Sequence, residues 1–411
     1  MKEILAEVAD LDARDPLAPF RDEFRLRDGL IYVDGNSLGA LPKATAARLA
    51  ATVTEEWGEG LITSWLGADW VGAPQRIGNK IAALLGAKAG EVIAADSTSV
   101  NIFKAVTAAA SLRPDRAVIL SETTNFPTDV YMMQGIEAFS GGRLKSVTVD
   151  PADVLGRLGD DVAVLLLTQV HYKSGLIRDM AEVTRRAHEK GVLMVWDLSH
   201  SAGAIEVDLN GANADFAVGC GYKFLNGGPG APAFLFAAER HHDAMPVLSG
   251  WFGHASPFTF EEDYRAAAGV TRFLCGTPPV LGLTALECGI DLMARADMRE
   301  LRKKSVRLGQ LFIERMTARC GEFGFELASP ADPELRGSQI SYAHPHGYEM
   351  VQALKERHVI GDFRAPDILR FGLTPLYLRY ADVVEAVERL RDICVTRAWD
   401  KPEYRVRAAV T

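Results

Sequence analysis

Four groups of residues in this chain are of types that do chemistry, and each follows or interrupts a short apolar run. Ser97, Thr98 and Ser99 come after EVIAA (91–95) and before VNIFKAVTAAASL (100–112), whose apolar spacing is helical. Hydroxyls beside the free N–H groups of a helix start suit a phosphate, although capping is the commoner use of such residues. Asp197 and His200 end the buried-looking run VLMVWDLSH. A carboxylate there is costly to ionise without a positive partner, such as a protonated pyridine nitrogen; a plain turn cap is the alternative. Tyr222 and Lys223 stand before the turn Asn226-Gly227-Gly228-Pro229-Gly230. A partly desolvated lysine forms Schiff bases, whereas a surface lysine would do nothing. Arg370 interrupts the apolar run ILRFGLTPLY. Its planar fork matches a carboxylate bidentately, or else it pairs with a nearby Asp.

The elements that must position these groups alternate in type. Strands are expected at 91–95, 117–120, 144–150, 161–171, 192–200, 217–224 and 231–238. Helices are expected at 74–88, 100–112, 127–138 and 180–190, the last ended by Gly191. Such alternation predicts an α/β fold with a mainly parallel sheet covered on both faces, whose ligands bind at the carboxyl ends of the strands. From about residue 290 the texture changes to long helices (301–320, 380–399) flanking strands at 325–329 and 337–343. The expected division is a loop-rich N-terminal arm over 1–60, a large domain over 61–289 and a smaller α+β domain over 290–411.

The bulk of the chain excludes several classes of function. It has 411 residues, 48% hydrophobic and 24% charged, with a net charge of −9 and no basic stripe. Nucleic acid is therefore not the expected partner. No apolar run reaches membrane-spanning length, and the acidic start MKEILAEVADLDARDP does not read as a signal peptide. Cys220, Cys275, Cys288, Cys320 and Cys394 form no C-x-x-C pair, so reduced thiols and a cytoplasmic location are expected. His241, His242 and Asp243 read as solvated residues of a polar helix start, Trp57 and Trp70 as packing residues, and no metal site is expected.

The order of the first three groups is more telling than any one of them. A phosphate turn, then a buried Asp, then a Lys 26 positions on (197 to 223) is the order seen in fold type I pyridoxal-phosphate enzymes. The segment DLSHSAGAIEVDLNGANADFAVGCGYKFLNGGPGAPAFLF resembles the kynureninases nearly throughout. So do DGNSLGALP (34–42), STSVN (97–101), NFPTD (125–129), SGWFG (249–253), CGTPP (275–279) and LRFGLTPLY (369–377).

The resemblance implies a function and a set of roles. The activity would be hydrolysis of L-kynurenine, and possibly 3-hydroxykynurenine, to anthranilate or its hydroxylated form and L-alanine, in tryptophan degradation. The cofactor would be pyridoxal 5′-phosphate. Lys223 would hold it as a Schiff base, Asp197 would bond its pyridine N–H, His200 would support that carboxylate or the ring, and Phe126 would stack on the ring. Pro127, Thr128, Asp129 and Thr168 would complete the pocket. Thr98, Ser99 and Tyr222 would hold the phosphate, with Trp251 and Thr277 reaching in from a second subunit of a homodimer. Asn36, Ser37 and Trp65 would line the substrate ring site, and Arg370 would take the substrate carboxylate. Thr277 and Trp65 match the bacterial pattern; animal enzymes usually have Asn and His there.

The reaction fits these groups. Breaking the bond from Cβ to the γ-carbonyl carbon leaves electrons on Cβ, which a protonated pyridinium accepts. Lys223, displaced by the substrate amine, would take the α-proton. Tyr222 is the candidate second acid/base. A cysteine desulfurase, a small-substrate aminotransferase or a non-catalytic cofactor-binding regulator are the alternatives. Desulfurases usually have His directly before the lysine, where this chain has Tyr222, and no Cys here stands in an obvious Gly/Ser loop. A regulator would be expected to lose Lys223 or Arg370, or to add a DNA-binding domain.

Overall fold

The computed structural model describes residues 2–407. Its centre is a seven-stranded sheet. Across the sheet the strands run Val92–Ala95, Ala233–Ala237, Phe216–Gly219, Leu193–Asp197, Val162–Thr168, Val118–Glu122 and Lys145–Val149. Neighbours pair in parallel except around Ala233–Ala237, which is antiparallel to both of its partners. The other strands therefore all present their carboxyl ends at one edge. Side chains alternate between the faces: Leu165 and Leu167 pack into one core with Trp196 and Phe234, while Val164 and Leu166 pack into another with Ile102 and Phe216. This two-sided burial is why these runs are apolar without a break.

Local chemistry sets the helix ends. Pro127 opens Pro127–Phe139 at a position where its missing N–H costs nothing. Asp179 caps Met180–Glu189 by accepting from Glu182 N at 3.0 Å. Gly191 follows with φ +68°, a backbone conformation that favours glycine after a helix.

A separate core joins the two ends of the chain: Val8, Phe24 and Val33 pack with Phe312, Phe371 and Leu390. Its sheet is antiparallel, in the order Asp362–Arg364, Ile368–Gly372, Gln339–Ala343, Glu326–Leu327. The long helices Met298–Cys320 and Tyr380–Thr396 belong to this unit.

Several expectations need correcting. The N-terminal stretch is not loop-rich, because Lys2–Ala13 and Lys43–Ala51 are helices and Thr52–Glu59 is a π-helix. The expected helix 74–88 is Ala73–Leu84, and Gly86 lies beyond its end at φ +61°. Strand 325–329 shrinks to Glu326–Leu327. His241 is not solvated: its Nε2 lies 2.8 Å from buried Asp215, and its ring stacks on Phe216 at 5.2 Å. Asp215 also meets His188 and Arg240, each at 2.7 Å. His242 Nε2 lies 3.0 Å from Ala237 O. Trp57 is 58% exposed and is no core residue, whereas Trp70 bonds Glu56 at 2.8 Å. Among the described residues no group of three or more His, Cys, Asp or Glu could hold a metal, and no helix is long and apolar enough to cross a membrane.

Candidate active site

The site is built at the carboxyl edge of the large sheet. Thr168 and Asp197 are terminal residues of adjacent strands and lie in register with each other. Asp197 is buried, and its Oδ1 accepts from Ser199 N at 2.8 Å and Ser199 Oγ at 2.6 Å. Burial pushes its carboxyl upward, while the Ser199 hydrogen bonds and the charge of Lys223 oppose that rise. Ser199, which the sequence did not single out, thus supports Asp197, while His200 Nε2 lies 3.0 Å from Lys223 Nζ. Burial, then the charge of Lys223, holds the imidazole well below its ordinary range, so it is neutral at physiological pH. Its Nδ1 is buried without a hydrogen-bond partner.

Asp129, in the first turn of Pro127–Phe139, faces the same space. Both of its carboxylate oxygens are buried without a partner. Burial, followed by the nearby charge of Asp197, pushes its carboxyl well above the usual range, and Lys223 only partly offsets this. Pro127 is exposed and Thr128 half-buried in that turn. Phe126 sets its ring edge-on to Tyr172 at 5.1 Å, with Lys223 Nζ 5.9 Å from its centre. Asn125 is a second residue missed in the sequence. It accepts from Thr168 Oγ1 and from the Phe126 N–H at 2.8 Å, and donates to Ser121 Oγ at 3.0 Å. It thereby ties two pocket residues to one amide.

At the phosphate turn, Ser97 is the N-cap of Thr98–Ser111, its Oγ accepting from Val100 N at 3.4 Å. Thr98 and Ser99 are therefore not the cap but the first helical residues. The Thr98 hydroxyl is buried and unpartnered. Tyr222 holds its ring 5.8 Å from Lys223 Nζ, and burial pushes its phenol upward, so it carries its proton at neutral pH. The Tyr222 carbonyl accepts from Gly39 N at 2.8 Å. Gly39 has no room for a side chain, since a Cβ there would stand 2.3 Å from the Lys223 carbonyl.

Arg370 lies in the small sheet, opposite Asp362 in register. Its Nε donates to Asp362 Oδ1 at 2.7 Å, and its Nη2 bonds Asp362 Oδ2 and, at 3.1 Å, Ser37 Oγ. Its Nη1 donates to Tyr172 O at 2.6 Å. The Nε edge of the fork is thus taken by an aspartate of the same chain, and both readings of the arginine meet here: it is a buried ion pair that still directs its Nη edge towards Ser37 and Tyr172. Asn36 is fully buried, with Nδ2 3.4 Å from Gln339 Oε1 and Oδ1 unpartnered. Tyr172 joins the two halves of the site, its ring on Phe126 and its carbonyl on Arg370.

Three expected residues stand apart. Trp65 packs on Trp70 at 5.6 Å and Phe252 at 5.7 Å. Trp251 stacks on Phe260 and meets Phe252 and Phe258 edge-on at the surface. Thr277 is exposed, just beyond Cys275, whose carbonyl accepts from Phe252 N at 3.2 Å. None of the three has a hydrogen bond or ring contact with Lys223, Asp197 or Arg370 within the described chain.

The arrangement can hold a planar, phosphorylated, cationic ring beside a lysine amine, with an anion clamp across from it. Comparison with known proteins bears on the fold and the family. Over 90% of the chain superposes on a cysteine desulfurase from Thermococcus onnurineus NA1 (TM-score 0.77, 18% identity, 93% of this chain and 99% of that one). A C-DES variant with glycine linked to its pyridoxal-phosphate cofactor is as similar (TM-score 0.78, 17% identity, 90% and 99%). At those identities the likeness is one of fold. Residues 301–390 match the family described as Kynureninase C-terminal domain. Kynureninase of Burkholderia pseudomallei strain K96243 is 50% identical over 413 aligned positions, covering 98% of this chain and 99% of that protein. Kynureninase of Pseudomonas fluorescens is 46% identical, covering 98% of each. On full-length identity at that level, the chain belongs to the kynureninase family.

Proposed function

We propose that this protein hydrolyses L-kynurenine to anthranilate and L-alanine with pyridoxal 5′-phosphate held on Lys223. The observation that carries the reading is the set of buried groups left unsatisfied around that lysine. Both oxygens of Asp129, Nδ1 of His200 and the Thr98 hydroxyl lack partners. Buried polar groups are seldom left so, and donors and acceptors spread around a pyridine, its substituents and a phosphate would satisfy them. Asp197 would meet the ring nitrogen, Phe126 the ring face, and Thr98 and Ser99 the phosphate. When bound, the cofactor supplies an electron sink for the bond that breaks.

The chain's own residues then divide the work. Lys223, beside a neutral His200, accepts the α-proton once its amine is free. Tyr222, keeping its phenolic proton by burial, delivers one to the carbon released at Cβ. Arg370 and Ser37 orient the substrate carboxylate. Trp251 and Thr277 lie at the surface, and Trp65 is half-buried next to Phe252. A homodimer in which that surface completes the neighbour's site gives them the phosphate and ring contacts they lack within one chain. Tyr222 before the lysine, in place of His, argues against the desulfurase reading. We place the enzyme in the cytoplasm, in keeping with five unpaired cysteines. Incubating the purified protein with L-kynurenine and following anthranilate fluorescence tests the activity, and no anthranilate with cofactor bound would overturn it.

A further inference from the structure

Beside the substrate side of the site lies a cluster of four charged side chains and one hydroxyl. Asp362 is its centre: besides Arg370, it meets Arg364 Nη2 at 2.9 Å and Ser37 Oγ at 2.7 Å. Both of its oxygens are therefore satisfied. Asp34, three residues before Ser37, is tied by its backbone to Gly372. Unlike Asp362, it keeps one carboxylate oxygen, Oδ1, buried with no hydrogen-bond partner. The charges that act on Asp34 are Asp362, Arg364 and Arg370. The phenols of Tyr32 and Tyr377 and the ammonium of Lys355 also feel it.

A substrate carboxylate brought to Arg370 adds a third negative charge beside Asp34 and Asp362, and like charges held together oppose one another's ionisation. Asp362 cannot relieve it, because a proton there would break the pair that orients Arg370. Asp34 can: a proton on its unpartnered Oδ1 breaks no hydrogen bond, and it has only to outweigh the Ser37 hydroxyl, Arg370 and Arg364, which favour the ionised form. We propose that Asp34 is the proton-accepting counterpart of the Arg370 clamp, so that the substrate's α-carboxylate and one proton are taken up together. The inference rests on the reading of Arg370 as the carboxylate site. Burial and then the neighbouring Asp362 already lift Asp34 to about 7 in the free chain, and a third negative charge lifts it further. The sign follows from linkage. Below that value Asp34 is protonated with or without the anion, and affinity is flat. Above it, each pH unit weakens anion binding by up to about tenfold, until the higher value of the complex is passed.

The test uses 4-(2-aminophenyl)-4-oxobutanoate, which keeps the carboxylate of kynurenine but lacks the amine that reacts with the cofactor. It is titrated calorimetrically into the holoenzyme about one pH unit above neutrality, in buffers of different ionisation enthalpy. Wild type should take up a substantial fraction of a proton, approaching one, per anion bound. Asp34→Asn should bind the anion without that uptake, and its affinity should stay flat as pH rises. Proton movement at Lys223 registers separately in the visible absorbance of the cofactor. Absence of uptake in wild type, which needs no variant, overturns the proposal, as does equal uptake in wild type and Asp34→Asn. Arg370→Ala separates the two readings. If it binds the anion as wild type does, the clamp reading has failed; if it loses binding while wild type shows no uptake, the clamp stands and the role of Asp34 falls.

Discussion

Asp362 lies directly across a strand pair from Arg370 and accepts its Nε–H at 2.7 Å. The arginine is therefore oriented before any substrate arrives, and it holds a buried carboxylate as well as facing the site. Removing it should cost twice. Arg370→Ala leaves Asp362 with only Arg364 and Ser37, which should lower stability by roughly 1.5–3 kcal/mol in urea titrations. It should also lose most of its kcat/KM for kynurenine, since a truncated charge pair typically costs about 2–5 kcal/mol. Arg370→Lys, keeping charge without the fork, should fall between. Wild type should reject a decarboxylated kynurenine analogue strongly and Arg370→Ala hardly at all. Equal discrimination by both proteins would leave Arg370 as an ion pair only.

Lys223 should be the one lysine that carries the cofactor. The purified protein should be yellow, borohydride should bleach its visible band, and peptide mapping should then find the reduced pyridoxyl group on Lys223. Lys104 and Lys304 are the instructive controls. Both are buried, but Lys104 is spent on Asp96 and the Phe273 carbonyl and Lys304 on Asp15 and the Pro375 carbonyl. A label on either would refute the assignment.

Asp197→Asn keeps the shape of the side chain and its Ser199 contacts but removes the charge. If that charge is what holds the ring nitrogen protonated, the variant should bind cofactor more weakly and turn over nearly as poorly as Asp197→Ala. Near-normal turnover in Asp197→Asn would show that the electron sink does not depend on it.

Asp129 offers a test by pH. Its folded-state carboxyl is raised well above the unfolded value, so the folded chain binds more protons between the two and stability falls as pH rises through that window. At neutral pH the cofactor-free protein is therefore less stable, through Asp129, than it is below the unfolded carboxyl's range. Asp129→Asn should raise the Tm of the cofactor-free form at pH 7 and lose that advantage near pH 4. It should also weaken cofactor binding, in line with the usual exchange of stability for function. A cofactor-free Asp129→Asn no more stable than wild type at neutral pH would contradict this.

Much of the site was legible because its parts recur as short motifs at strand ends. Asp197 and Lys223 follow apolar strands, and the alternation of strand and helix already implied which edge they share. Less visible was anything settled by three-dimensional neighbours. Ser199 and Asn125 are small polar residues of a kind found in any turn, and only their partners mark them. His200 was expected beside Asp197 or the cofactor ring, and its contact with Lys223 is of the kind only the fold reveals. The reversal of Ala233–Ala237 left no trace, because a strand buried on both faces reads the same in either direction. The N-terminal helices were missed because their exposed faces dilute the apolar period. The Asp362 partnership of Arg370 was among the open readings, and no periodicity could have decided it.

Gly39 gives the site a vulnerability that a survey of functional groups would overlook. It contributes no acid, base or ligand, only the space that lets one backbone lie against the carbonyl of Lys223. A survey that truncates reactive side chains would pass over a residue with nothing to truncate, yet the single methyl of Gly39→Ala would push the lysine turn out of place. Some of the accuracy of this catalyst is thus written as a missing atom, and a library that varies only the reactive side chains would leave it unsampled.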